Sequence, residues 1–132
     1  MSAAAGDPSV ARLHYARGRR QLDIEFSDGL SASLDAEFLR VFSPSAEVRG
    51  HGPGQEVLQA GKSAVTISAI EPVGHYAVQL VFDDGHDSGL YSWSYLRELI
   101  EAREHLWQNY LERLARAGLS REPDVQVLMF QP

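Results

Sequence analysis

The sequence predicts an α+β fold: a single domain with a mainly antiparallel sheet, one short helix and a long C-terminal helix. Two patterns carry that prediction. Between Leu22 and Phe82, apolar and polar residues alternate in short runs, the period of strands with one buried face, and turns bearing Gly or Pro separate the runs. From Tyr95 to Ala117 the apolar spacing changes to three and four, which is helical. Length agrees, since 132 residues sit in the usual single-domain range and bury roughly two-thirds of their unfolded surface.

Taken in order, residues 1–10 are small and polar and read as a flexible tail, residues 11–118 as the domain, and residues 119–132 as an extension. Leu13 to Arg17 suggests a first strand. Leu22, Ile24 and Phe26 alternate with Gln21, Asp23 and Glu25; Ser27-Asp28-Gly29 supplies a tight turn, and Leu30, Ala32 and Leu34 resume the alternation, giving a hairpin. Asp35 can cap a short helix running from Ala36 to Phe42, which Ser43-Pro44 ends. A long loop rich in Gly and Pro follows, through Gln55. Ala64 to Ile70 reads as a strand, Pro72 and Gly74 break it, and Tyr76, Val78, Leu80 and Phe82 form the return strand. Leu96, Leu99, Ile100, Leu106, Trp107, Tyr110, Leu111 and Leu114 line one helix stopped by Gly118. Trp107 and Tyr110 in that stripe are core or partner-facing surface rather than a cofactor box. The apolar run Val125, Val127, Leu128, Met129 and Phe130 needs a docking place.

Composition excludes several classes. With no cysteine there is no disulfide framework or thiolate cage, so the cytoplasm is the expected compartment and any metal must rest on His, Asp or Glu. The formal net charge of -6 disfavours nucleic acid, because Arg17, Arg19 and Arg20 are the only basic cluster. No apolar run approaches the roughly 20 residues of a membrane span, and the N-terminus lacks the build of a signal peptide.

The unusual chemistry is concentrated in Val78 to Leu99, where an apolar strand enters an acidic turn and an aromatic segment leads into the helix. Asp83, Asp84, His86 and Asp87 offer oxygen and nitrogen ligands within a few residues, and Gly85 and Gly89 permit tight backbone. One reading is a metal-holding turn; the other is a capped solvent-facing turn, since Asp and Gly are ordinary turn residues. His51, flanked by Gly50 and Gly52, is the second candidate imidazole, and an imidazole and carboxylate set suits iron or zinc. Against this, His51 could bond within its own loop and His86 could donate to an aspartate. Catalytic signatures are missing: AGKSAV has Glu56 where a phosphate loop needs Gly, and no Gly-x-Ser-x-Gly elbow occurs. None of the five histidines begins a His-x-Asp or His-x-Glu unit.

The strings SPSAEVRGHGPGQ, from Ser43, and IEPVGHYAVQLVFDDGHDSGLYSWSYL, from Ile70, resemble the gamma-butyrobetaine hydroxylase-like N-terminal domain family, which includes small bacterial proteins of unknown function. The resemblance runs from about Leu22 to Ile100. In carnitine-synthesis oxygenases the domain precedes the catalytic barrel and holds zinc through three cysteines and one histidine. It is also similar to a domain appended to P-loop ATPases that carry iron-sulfur clusters, which implies an accessory role near iron-sulfur delivery. By position, the three thiolate sites fall on Ser43, Ser45 and Val48 and the ligand histidine on His86. The resemblance thus implies that a metal held here would use His86 with new partners, His51 first among them.

The leading expectation is therefore a noncatalytic accessory or binding module linked to iron-sulfur metabolism, with His86, His51, Asp83, Asp84 and Asp87 as candidate ligands for one divalent ion, iron or zinc. Tyr91, Trp93 and Tyr95 are expected to form or buttress a surface for a protein partner from iron-sulfur or oxygenase machinery, and the long helix could pair two copies of the chain. The alternative is a metal-free protein-interaction domain in which His86 and the aspartates only shape the turn. A small enzyme using Asp/His acid-base chemistry ranks third.

Overall fold

The computed structural model describes residues 7–50 and 52–123. Strands β1 (Val10–Ala16), β2 (Gln21–Phe26) and β3 (Ser31–Asp35) form one antiparallel sheet in that order. Strands β4 (Ile67–Val73), β5 (Ala77–Phe82) and β6 (Leu90–Ser92) form a second. The α+β class and antiparallel pairing are as predicted, with the strands divided between two sheets. Helices α1 (Ala36–Val41) and α2 (Ala46–Arg49) lie between the sheets in sequence, and α3 (Trp93–Glu101) and α4 (Arg103–Ala117) follow them.

Alternation decides which faces meet. On β2, Leu22, Ile24 and Phe26 are buried; on β5, Val78, Leu80 and Phe82 are buried. These residues form one core with Leu34, Phe38, Leu39, Ile67, Tyr91, Leu96 and Leu99, so both sheets, α1 and α3 share a single apolar interior. The sheets also meet through a hydrogen bond from the Ile67 backbone N–H to the Tyr15 hydroxyl, 3.2 Å. A smaller cluster of Val41, Tyr110 and Leu114, with Phe42, Leu58 and Ala60 packed against it, seats α4 on the fold, while Leu106, Trp107 and Leu111 stay partly exposed.

Several elements differ from expectation. Asp35 occupies the N-cap of α1 but makes no capping bond; its carboxylate accepts from Gln21 Nε2 on the neighbouring strand instead, at 3.0 Å. The long loop contains α2, closed by Gly50 at φ 71°. A Cβ there would lie 1.9 Å from the Gln55 carbonyl oxygen, so only glycine turns this corner. β4 continues through Pro72 to Val73, which an edge strand tolerates because its outer N–H groups have no ladder partner to lose. β6 is too short to show an alternating pattern. The expected single helix is two, interrupted at Ala102 (φ -101°, ψ 8°). Gly118 adopts the left-handed conformation that ends α4, as its position predicts.

Beyond Gly118 the chain returns to the fold. The Ser120 and Arg121 carbonyls accept from the Gly61 and Ser63 N–H groups, each at 2.9 Å. The Arg121 guanidinium makes two bonds to the Glu37 carboxylate, 2.8 and 2.7 Å, and lies over the Trp107 ring at 5.2 Å. Among the described residues, no helix is long and apolar enough to cross a membrane. The apolar run from Val125 to Phe130 lies outside the described residues.

Candidate functional site

The site lies where the corner between α1 and α2 meets the turn between β5 and β6. Backbone bonds first shape that turn. The Gly85 N–H donates to the Phe82 carbonyl (3.1 Å) and the Phe82 N–H to the His86 carbonyl (2.9 Å), while Gly85 takes φ 91°. Asp84 Oδ1 accepts from the His86 N–H at 3.2 Å, a local turn of the kind Asp favours. The result drives the His86 ring inward, where its side chain is only 3% exposed.

Both ring nitrogens have partners. Nε2 lies 2.8 Å from Ser43 Oγ and 3.5 Å from Ser45 Oγ. Nδ1 lies 3.2 Å from the Glu47 carboxylate. Ser45 occupies the N-cap of α2, yet its hydroxyl caps nothing in that helix. Burial, then the Arg40 guanidinium, hold the His86 imidazole below its usual protonation range, against the opposite pull of Glu47 and Asp84.

The aspartates go elsewhere. Asp84 Oδ2 accepts from Lys62 Nζ at 2.6 Å and Arg40 Nε at 2.9 Å. Burial alone would raise its pKa, but bonds from Lys62, the His86 N–H and Arg40 outweigh burial and hold it at about 2. Asp83 and Thr66 exchange two bonds, both 3.0 Å, which tie the turn to the start of β4. Asp87 is exposed, and its carbonyl accepts from Gln79 Nε2. His51 lies outside the described residues. Among those described, no group of three or more His, Asp or Glu side chains is arranged to hold an ion.

The three aromatics also separate. Tyr91 is fully buried and its hydroxyl donates to the Leu39 carbonyl at 2.5 Å, so it is a core residue and cannot itself face a partner. Tyr95 is half-buried, donates to the Phe42 carbonyl at 2.6 Å and carries the Arg49 guanidinium 4.9 Å over its ring. Trp93, also half-buried, donates from Nε1 to the His75 carbonyl at 2.7 Å. Tyr91→Phe is expected to cost about 1 kcal/mol by leaving a buried carbonyl unpaired, read as a lower urea midpoint at unchanged slope.

Sequence reasoning did not find Glu47, Arg40 or Lys62. Arg40 had a signal, being a lone cation within the apolar run Phe38 to Phe42. Glu47 and Lys62 had none.

A family model for the gamma-butyrobetaine hydroxylase-like N-terminal domain matches residues 13–97. The chain belongs to that family. Two solution structures determined by NMR are 46% and 49% identical to it; the first covers 96% of this chain and 100% of its own, the second 100% and 98%, each with a TM-score of 0.78. A crystal structure from Acidithiobacillus ferrooxidans, of a protein of unknown function in the DUF971 family, is 35% identical over 71% of this chain and 97% of its own, at a TM-score of 0.59. No curated protein matches the chain. The thiolate zinc site of the carnitine-synthesis oxygenases cannot form here, as the absence of cysteine predicts. Ser43 and Ser45 offer neutral hydroxyls, Val48 is buried and offers no donor, and Nε2 already faces Ser43 Oγ at 2.8 Å.

Proposed function

We propose that this member of the gamma-butyrobetaine hydroxylase-like N-terminal domain family is a noncatalytic accessory domain that works by contact with another protein, in iron or iron-sulfur metabolism. One observation carries the noncatalytic reading. Ser43, His86 and Glu47 stand in the order of a nucleophile, a base and an orienting carboxylate, which is the only such relay seen among the described residues. Ser43 is nevertheless 1% exposed, and its oxygen also accepts from the Ser45 N–H, so no substrate carbonyl can approach it. A base and nucleophile without access do no chemistry.

Protein contact is supported by two exposed apolar side chains near the β6 edge of the second sheet, one towards each end of the β5–β6 pairing. Leu90 in β6 is 52% exposed and Tyr76, in the turn before β5, is 65% exposed. The Trp93 N–H donates to the Tyr76 carbonyl, which joins this turn to the start of α3. The similarity to a domain appended to iron-sulfur ATPases supports the metabolic setting.

Photocrosslinking residues placed at Tyr76 and Leu90 in living cells are expected to give a discrete adduct with an iron-sulfur or oxygenase protein, with none from exposed Ser31 on the other sheet. No adduct at either position would overturn the contact reading. Labelling of Ser43 by a fluorophosphonate would overturn the noncatalytic one.

A further inference from the structure

We propose that Ser43, His86 and Glu47 form a metal-independent staple, a hydrogen-bonded chain through one imidazole that fastens the corner between α1 and α2 to the turn between β5 and β6. The residues it joins are far apart in sequence, His86 lying 43 positions after Ser43. The protons follow from the partners. An ionised carboxylate accepts and cannot donate, so the bond at 3.2 Å to Glu47 places the hydrogen on Nδ1. Nε2 of the neutral ring is then an acceptor, and the Ser43 hydroxyl donates to it at 2.8 Å. The Ser43 oxygen in turn accepts from the Ser45 N–H at 3.3 Å. Both nitrogens of the imidazole and the Ser43 hydroxyl are thereby used.

An ion at this place would need the Nε2 lone pair that Ser43 occupies, and would find around it two hydroxyls. Space is also short. A Cβ at buried Gly89 would lie 2.5 Å from Ser43 Oγ, so the backbone leading into β6 presses directly on the serine. The same corner carries other fastenings, from Tyr91 to Leu39, Tyr95 to Phe42 and Arg40 to Asp84. The staple therefore fixes local geometry without being the sole tie.

The test uses the full chain without a histidine tag, uniformly labelled with nitrogen-15. Long-range proton–nitrogen spectra near neutral pH are expected to show His86 as the Nδ1–H tautomer, unchanged by equimolar zinc or ferrous iron, and a chelator is expected to leave the melting temperature unmoved. Ser43→Ala, which deletes only the hydroxyl, is expected to shift the Nε2 resonance while the fold persists. His86→Ala is expected to lower the melting temperature by several degrees. An Nε2–H tautomer, an Nε2 resonance indifferent to Ser43→Ala, or stoichiometric metal that disappears in His86→Ala would each overturn the staple. A bound ion would leave the protein-contact reading intact.

Discussion

Arg121→Ala is expected to destabilise the fold by about 2–3 kcal/mol, more than a surface ion pair ordinarily contributes. The reason lies with its partner. The Glu37 side chain is only 8% exposed, and its two oxygens are met by the two bonds from Arg121. Removing the guanidinium strands a buried carboxylate, and a buried charge without a partner is among the costliest single defects. The figure is held below the largest known cases because Arg121 itself is 43% exposed, so water can reach part of the gap. The loss also uncovers Trp107, over whose ring the guanidinium lies, whereas the backbone bonds to Gly61 and Ser63 remain available. Replacing both partners, as in E37M/R121M, is expected to recover most of the loss, since an apolar pair needs no compensation. Chemical denaturation of the two single variants and the double settles it. Additive losses would refute the explanation.

Acid is expected to weaken the protein in two stages, the upper one from His86 and the lower one led by Asp84, with smaller shares from Asp23 and Asp28. His86 has a folded pKa below its ordinary value, so the unfolded chain takes up the proton first. Its contribution is present above the ordinary imidazole value of about 6.5 and is lost as pH falls from there through the folded pKa. Burial and Arg40 on α1 disfavour the imidazolium, while Glu47 on α2 and Asp84 in the turn favour it. Asp84 acts lower on the scale, because its carboxylate is held at about 2 against an ordinary 3.8. Its contribution, about 1–2 kcal/mol after allowing for solvent at the site, is present above the ordinary value and disappears as pH falls toward 2. Urea midpoints measured from neutral pH downward are expected to fall in both windows. His86→Gln should flatten the upper window and Asp84→Asn should shrink the lower one, whatever each does to stability at neutral pH. A midpoint in the native chain that stays level between about pH 7 and 5 would contradict the buried neutral imidazole.

The sequence by itself determined the class of fold, because one-face burial leaves a period of two in β2 and β5 and a period near four in α3 and α4. It also determined the turn at Gly29 and the stop at Gly118, since these depend on neighbours a few positions away. It could not show β6, whose three residues are too few to display a period. It could not show the break at Ala102, where no proline or glycine stands. Only the tertiary structure decided what His86 touches, for the ring is filled by Ser43, Ser45 and Glu47 from a distant segment, while Lys62 and Arg40 draw Asp84 away. Backbone periodicity is a local property; which side chains meet across a core depends on how two sheets and two helix pairs close on one another.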